Sequence, residues 1–131
     1  MNLDKEKLKN FDKLPADVRR QFSLLMNQYA EKKKQSAVKS DFMAFVKHVW
    51  PDFVEGKHHK QVAKKFNDIA EGKVKRVIIN MAPRHTKSEF ASYLLPAWMV
   101  GRNPKLKIIQ STNTTELSVR FGRKAKALMD S

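Results

Sequence analysis

A short polar segment in the second half of the chain carries residue types that could bind a phosphate chain. Residues 81–88 read M-A-P-R-H-T-K-S, and Lys-Ser are the last two positions of the phosphate-loop pattern G-x-x-x-x-G-K-[ST]. In such a loop, backbone N–H groups at a helix N-terminus point at phosphate oxygens, and the helix dipole adds to the attraction. The pattern predicts that Lys87 bridges the β- and γ-phosphates of ATP and that Ser88 ligates Mg²⁺ through its hydroxyl.

Two positions of this segment depart from the pattern. Met81 and Thr86 stand where the glycines usually are. Glycine adopts a positive φ at no steric cost, whereas a β-branched residue such as threonine does not. The alternative interpretation is therefore a polar loop whose Ser88 merely caps a helix.

The segments around the loop predict the elements that would position it. Residues 74–81 are short, β-branched and apolar, as in a buried strand, and residues 106–111 predict a second strand. A helix of about residues 88–100, bent at Pro96, lies between them. Residues 113–116 have the spacing of a capping box, which predicts a last helix that runs to about Met129. Strands that alternate with helices predict an α/β fold with a parallel sheet, and two strands make that sheet incomplete.

The first half of the chain predicts helices only. Apolar residues recur at helical spacing over residues 16–34, and Ser40 can cap a second helix that ends before Pro51. A third helix is predicted over about residues 57–71, with Gly72 after it. We therefore predict an N-terminal helical extension over residues 1–56 and the start of a phosphate-loop ATPase domain over residues 57–131.

Composition narrows the classes of function. The net charge is +14, and residues 57–131 hold 16 basic and 5 acidic side chains, an excess that polyanions such as nucleic acid attract. The chain has no cysteine, which excludes disulfides and thiol catalysis. No secretory signal and no apolar run long enough for a bilayer are present, so no membrane partner is expected.

Several blocks, in order, resemble one known family. Residues 81–89 resemble the deviant Walker A loop of a group of phage terminase large subunits, in which a P-R-H-x-K-S core follows a strand that ends in Asn-Met. The segment from Phe45 to Pro51, the post-loop residues L-P-A-W with Gly101, and S-T-N-T-T-E-L-S-V-R-F-G-R from Ser111 are similar to further family segments. The resemblance covers roughly residues 42–131.

The resemblance implies roles for particular residues. Arg84 resembles the arginine that terminases place inside this loop, which stabilises transition-state charge or senses the γ-phosphate, and Lys87 and Arg84 would be the catalytic side chains. Gln61 lies upstream, like the glutamine with which these motors read adenine; an exposed helical glutamine is the alternative. The expected ATP-binding residues are Ala82, Pro83, Arg84, His85, Thr86, Lys87, Ser88 and Gln61, with Ser88 as the Mg²⁺ ligand.

Three histidines, His58, His59 and His85, could in principle bind a metal, contact phosphate or act as a base. His58 and His59 are adjacent, so on a helix they point about 100° apart, and joint ligation of a metal is not expected. His85 is expected to pack or to contact phosphate rather than to act as a base.

The resemblance also implies a setting for the whole protein. A terminase couples ATP hydrolysis to packaging of double-stranded DNA into a procapsid, in the host cytoplasm. Its partners are a small terminase subunit, the capsid portal and sister subunits in a homo-oligomeric ring. No strand ending in acidic residues and no nuclease half follow the loop here, so we expect an N-terminal fragment that is inactive alone, with endonuclease activity in the missing C-terminal part.

Two other classes of protein fit the same residues. A helicase-like nucleic-acid ATPase shares the loop and the positive charge. A non-enzymatic basic DNA-binding module shares the charge only, and it predicts no affinity for nucleotide.

Overall fold

The computed structural model describes residues 15–130, and helices make up most of them. The helices are α1 (Ala16–Ser40), α2 (Phe42–Val49), α3 (Lys57–Ala70), α4 (Lys87–Glu89), the π segment (Phe90–Leu94), α5 (Leu95–Arg102) and α6 (Thr115–Met129). The segments α4, π and α5 follow one another directly and form one helical run after the polar loop.

The chain divides into two compact units between Ser36 and Ala37. In its described part, the first unit is the larger portion of α1. This helix is longer than the predicted residues 16–34, since neither glycine nor proline interrupts the chain from Ala16 to Ser40. No residue of α1 is buried, and apolar side chains such as Leu25 and Tyr29 are exposed. The predicted domain boundary at residue 56 stays a prediction.

An aromatic cluster forms the core of the second unit. Phe42 is completely buried, and its ring lies 5.1 Å from Phe66, 5.5 Å from Phe90 and 5.4 Å from Trp98, in each case edge-on. Edge-to-face geometry at these separations is favourable for aromatic pairs. Four helical segments therefore meet at one side chain: α2, which carries Phe42, α3, the π segment and α5.

A polar network at the start of α2 joins it to α3. The carboxylate of Asp41 accepts a hydrogen bond from the backbone N–H of Ala44 at 2.8 Å, so Asp41 is the N-cap, rather than Ser40 as predicted. Asn67, on α3, donates to Asp41 at 2.7 Å and accepts from the backbone N–H of Phe42 at 2.9 Å. These bonds fix the angle at which Phe42 enters the core.

The predicted α/β fold is wrong. Residues 15–130 contain no β-strand and no sheet, and the second unit is a small all-helical domain. Residues 77–82 and 106–112 have no regular secondary structure. A strand must find hydrogen bonds on a neighbouring strand, whereas a helix satisfies its own backbone, so apolar β-branched composition alone does not create a sheet.

The two segments differ in how they meet the core. Ile79 packs against the aromatic cluster, while Ile78, on the opposite side of the extended chain, is 89% exposed. In the other segment Ile108 and Ile109 are both exposed. Only the first segment therefore has the alternation expected of a chain that lies with one face on a packed surface.

A wider helical segment precedes Pro96, and the bend predicted at this proline stays a prediction. The π segment Phe90–Leu94 lies directly N-terminal to α5, which has this proline at its start. Proline has no N–H and its ring crowds the carbonyl four residues earlier, so a widened turn accommodates it at lower cost.

None of the helices described in residues 15–130 combines the length and apolar character that a lipid bilayer requires of a spanning segment.

Candidate functional site

The polar loop has an unusual backbone. Arg84 and Thr86 have φ angles of 67° and 56°, and within residues 15–130 they are the non-glycine residues with positive φ. The value at Thr86, with ψ of 8°, is left-handed helical, a conformation that is rare for a β-branched residue. Thr86 is thus in a backbone state that glycine adopts at no steric cost, and glycine is the residue that the phosphate-loop pattern has at this position.

A helix begins immediately after this turn. Thr86 is the N-cap of the run that starts at Lys87, and its carbonyl accepts from the backbone N–H of Phe90 at 2.9 Å. The N–H groups of the first turn, at Lys87, Ser88 and Glu89, have no acceptor within the helix because they precede its first hydrogen bond. They are donors available to an anion, and the dipole of the helix run favours negative charge there.

The lysine of the motif folds back over the loop. Lys87 Nζ donates to the carbonyl oxygen of Met81 at 3.3 Å, which spans the loop from its last part to its first residue. The side chains of Arg84, His85 and Ser88 are exposed around it. The contact between Lys87 and Met81 therefore closes the turn, and the guanidinium of Arg84 and the hydroxyl of Ser88 belong to exposed side chains of the same turn.

A buried histidine supports the loop from α3. His59 is 8% exposed, and its Nε2 lies 2.8 Å from Thr86 Oγ1. Its Nδ1 accepts a hydrogen bond from the backbone N–H of Gly56 at 2.9 Å. Burial is the main cause that lowers the pKa of His59, and neighbouring His58 and His85 lower it further, against the opposite effect of Glu55.

A groove of about 740 Å³ lies beside the loop. Its walls are α3 and the extended segment that leads into the loop, and Met81 belongs to both the groove and the loop. Gln61 lines this groove from α3. Other polar groups on the walls are Asn80 and the basic residues His58, Lys64, Lys65 and Arg76.

The acidic residue after the motif has a partner on the last helix. Glu89 accepts hydrogen bonds from Lys124 Nζ at 3.0 and 3.1 Å, and this ammonium also lies 5.5 Å from the ring centroid of Tyr93. The contact ties α6 to the helix that starts in the loop. The carboxylate next to Ser88 is thereby engaged in an ion pair.

No group of three or more histidine, cysteine, aspartate or glutamate side chains in residues 15–130 could hold a metal ion. His58 and His59 were expected to point about 100° apart on their helix, whereas their ring centroids lie 3.8 Å apart. The expected role of Ser88 as a Mg²⁺ ligand stays a prediction.

Sequence patterns identified most of these residues, but they did not predict the contact that His59 makes with the loop. Met81 to Ser88 lie in one turn, and Gln61 lies in the adjoining groove. The contact between His59 and Thr86 joins positions 27 residues apart, and from the sequence the adjacent histidines were considered only as metal ligands, a role that was not expected. A polar side chain three residues after Gly56, at the third position of a helix, is a signal for a capping contact that could have been used.

No protein-family model, curated protein or solved structure matches this chain.

Proposed function

We propose that residues 81–88 bind the polyphosphate of ATP together with Mg²⁺, and that the chain is the N-terminal part of a terminase-like DNA-packaging ATPase. One observation carries the proposal. Two residues with positive φ precede a helix that starts at Lys87, and the lysine closes the turn onto Met81. Such a turn aims backbone N–H groups and one ammonium at the same point, as phosphate oxygens require.

Each side chain then has a role that its position supports. Lys87 would leave the carbonyl of Met81 and bind the β- and γ-phosphates, and Ser88 would hold Mg²⁺ by its hydroxyl. Arg84 is exposed at the rim, where it could meet the γ-phosphate. Bound Mg²⁺ would supply charge neutralisation for the phosphates.

The groove suits the base of the nucleotide. Its volume of about 740 Å³ and its apolar wall of valine and isoleucine residues accommodate a planar ring, and Gln61 offers an amide that donates and accepts. The basic residues on the same walls favour an anionic ligand. We propose that Gln61 reads the adenine edge.

In the complete protein, the proposed site would work as part of a motor. ATP hydrolysis would be coupled to movement of double-stranded DNA into a procapsid, with a small terminase subunit, the portal and sister subunits as partners. The 131-residue chain alone is expected to bind nucleotide without steady turnover. The carboxylate nearest the motif, Glu89, is paired with Lys124, and hydrolysis needs an acidic group to orient water or metal.

Substitution of the lysine tests the proposal. Lys87→Ala removes a charge-assisted contact worth about 1.5–3 kcal/mol, so the affinity for a non-hydrolysable ATP analogue with Mg²⁺ should fall roughly tenfold or more. Isothermal calorimetry measures it, and Lys107→Ala, an exposed lysine outside the loop and groove, is the matched control. Equal affinity in all three proteins would refute the site.

A basic DNA-binding module is the second candidate. Arg120, Arg123 and Lys126 are exposed on α6, and residues 57–131 carry most of the positive charge. Binding to duplex DNA should then weaken with salt at a log–log slope of about −0.9 per phosphate neutralised. Salt-dependent DNA binding with no affinity for nucleotide would favour this function over an ATPase.

A further inference from the structure

The loop contains a residue that its backbone does not favour. Thr86 has a left-handed conformation, with φ of 56°, although a β-branched side chain is strained there and glycine is not. Strain of this kind persists only where the surrounding structure imposes it. Some contact of Thr86 must therefore compensate for the absent glycine.

The hydrogen bonds around His59 determine which ring nitrogen carries the proton. Nδ1 accepts from the backbone N–H of Gly56, so in the uncharged ring the proton is on Nε2. Nε2–H then has two acceptors within reach, Thr86 Oγ1 at 2.8 Å and His58 Nε2 at 3.0 Å, and the contact with Thr86 is the shorter. The hydroxyl of Thr86 donates to the carbonyl of His85 at 2.7 Å. The order of donors and acceptors is consistent from Gly56 to His85.

The ring of His59 has little freedom to leave this position. It packs against Phe53, with centroids 4.8 Å apart, and against Phe90, at 5.3 Å, and these two rings also contact each other at 5.4 Å as part of the packed interior. Its neighbour His58 also approaches it, with the two Nε2 atoms 3.0 Å apart. A donor held by packed rings is a fixed reference point for the hydroxyl that it contacts.

Gly56 makes the approach of the two rings possible. A Cβ atom at this position would lie 2.9 Å from Cε1 of His58 and 3.4 Å from Nδ1 of His59. The first distance is shorter than real Cβ contacts, so a side chain at residue 56 would displace the ring of His58, whereas the second is an ordinary van der Waals contact. The pattern's glycine is thus absent at position 86 of the loop, and a glycine is present at position 56, next to the histidine that contacts Thr86.

We propose that His59 is a positioning residue for the loop: its Nε2–H holds Thr86 by the hydroxyl in the left-handed conformation that a glycine would adopt unaided. That the held loop receives phosphate rests on the proposed function. In this chain, a threonine and a histidine together therefore form the turn for which the phosphate-loop pattern has one glycine. Gly56, His59 and Thr86 form a unit, which we term the histidine clasp.

The decisive comparison uses two variants of His59 in two backgrounds. His59→Phe removes the donor and keeps a ring packed against Phe53 and Phe90, whereas His59→Gln keeps an N–H donor. Each is made in the natural chain and in Thr86→Gly, where the clasp should be unnecessary. His48→Phe, at an exposed histidine on α2, is the control.

Two measurements are made on each protein. NMR gives the protonated nitrogen of His59 and the backbone couplings that report the φ angle of Thr86. Calorimetry gives the affinity for an ATP analogue with Mg²⁺, and circular dichroism verifies that each variant is folded.

We expect the proton of His59 on Nε2 and a positive φ at Thr86. His59→Phe should shift that φ and reduce affinity about fivefold to tenfold, because the competent loop becomes a smaller fraction of the molecules. His59→Gln should recover most of the loss. In the Thr86→Gly background, His59→Phe should change the affinity by less than about twofold.

Three results would overturn the proposal: a proton on Nδ1, an unchanged φ of Thr86 in His59→Phe, or the same loss of affinity in both backgrounds. If the natural chain binds no ATP analogue, the proposed function fails. The NMR measurements still decide whether the clasp holds Thr86, so the two failures are distinguishable.

Discussion

The aromatic core and the segment of residues 106–112 both contain large apolar side chains, but those of the core are buried and those of the segment are exposed. Phe42 is completely buried among rings from three other helical segments, whereas Ile109 is 98% exposed. The residues of the core are carried by helices, whose backbones are already satisfied when their side chains meet. An extended segment must bury its backbone as well, and it needs a neighbouring strand to do so.

The segment of residues 74–81 is intermediate between these cases. Ile79 packs on the aromatic cluster and Ile78 does not, so a single extended chain can contribute one face to the core without forming a sheet. Hydrophobicity thus indicates which residues can be buried. Whether they are buried depends on the surface that the rest of the chain offers them.

The largest expected effect is at the centre of the core. Phe42→Ala should reduce the free energy of unfolding by about 3–5 kcal/mol, since it removes a ring that contacts three others and leaves a cavity. Chemical denaturation followed by circular dichroism measures the change. A cost below about 1 kcal/mol would mean that the four rings do not pack as described.

The polar network beneath Phe42 should have an intermediate effect. Asn67→Ala leaves the backbone N–H of Phe42 and the Oδ1 atom of the Asp41 carboxylate without the partner that Asn67 provides, which should cost about 1–3 kcal/mol. Asn113→Ala, at an exposed asparagine, is the matched control in the same denaturation experiment. Equal costs for the two substitutions would contradict the network.

Stability should also depend on pH through His59. Burial and the charges of His58 and His85 lower its pKa below the ordinary value of 6.5, while Glu55 acts in the opposite direction. The unfolded chain then binds the proton more readily, so stability is fully present above pH 6.5 and declines as the pH falls through and below that value.

Denaturation at a series of pH values tests this dependence. His59→Phe should flatten the decline, and His48→Phe should leave it unchanged. A decline that persists in full in His59→Phe would assign it to other groups.

The smallest expected effect is at the exposed isoleucine. Ile109→Thr should change the stability by less than about 0.5 kcal/mol, because the side chain already lies almost wholly in solvent. Light scattering should nevertheless show less self-association, since an exposed apolar extended segment is prone to pair with another chain. A loss of stability comparable to that of Phe42→Ala would show that Ile109 is buried in solution.

Local chemistry was enough to predict the helices. The apolar period of residues 57–71, followed by Gly72, predicts a helix that the structure has as Lys57–Ala70, with Gly72 at a φ of 74°. Thr114 accepts a hydrogen bond from the backbone N–H of Leu117 at the start of α6, one residue after Asn113, which is the N-cap position of the capping-box spacing over residues 113–116. Helical periodicity and capping involve residues three or four apart, so a sequence displays them directly.

The phosphate-loop pattern predicted where the turn lies but not how it is held. Lys87, Ser88 and their neighbours can be identified from their order along the chain, and the structure has a closed turn there followed by a helix. The strands predicted on either side are absent from residues 15–130, because pairing depends on surfaces that periodicity does not describe.

Only the tertiary structure decided the contacts between positions far apart in the chain. Residue types and spacing by themselves determined the helices, the loop and the positive charge. Packing brought His59 to Thr86 across 27 positions and placed Phe42 among three distant rings. The reason is that these contacts depend on how the helices pack, which residues three or four apart do not display, and a threonine in a left-handed conformation persists only where the surrounding structure imposes it.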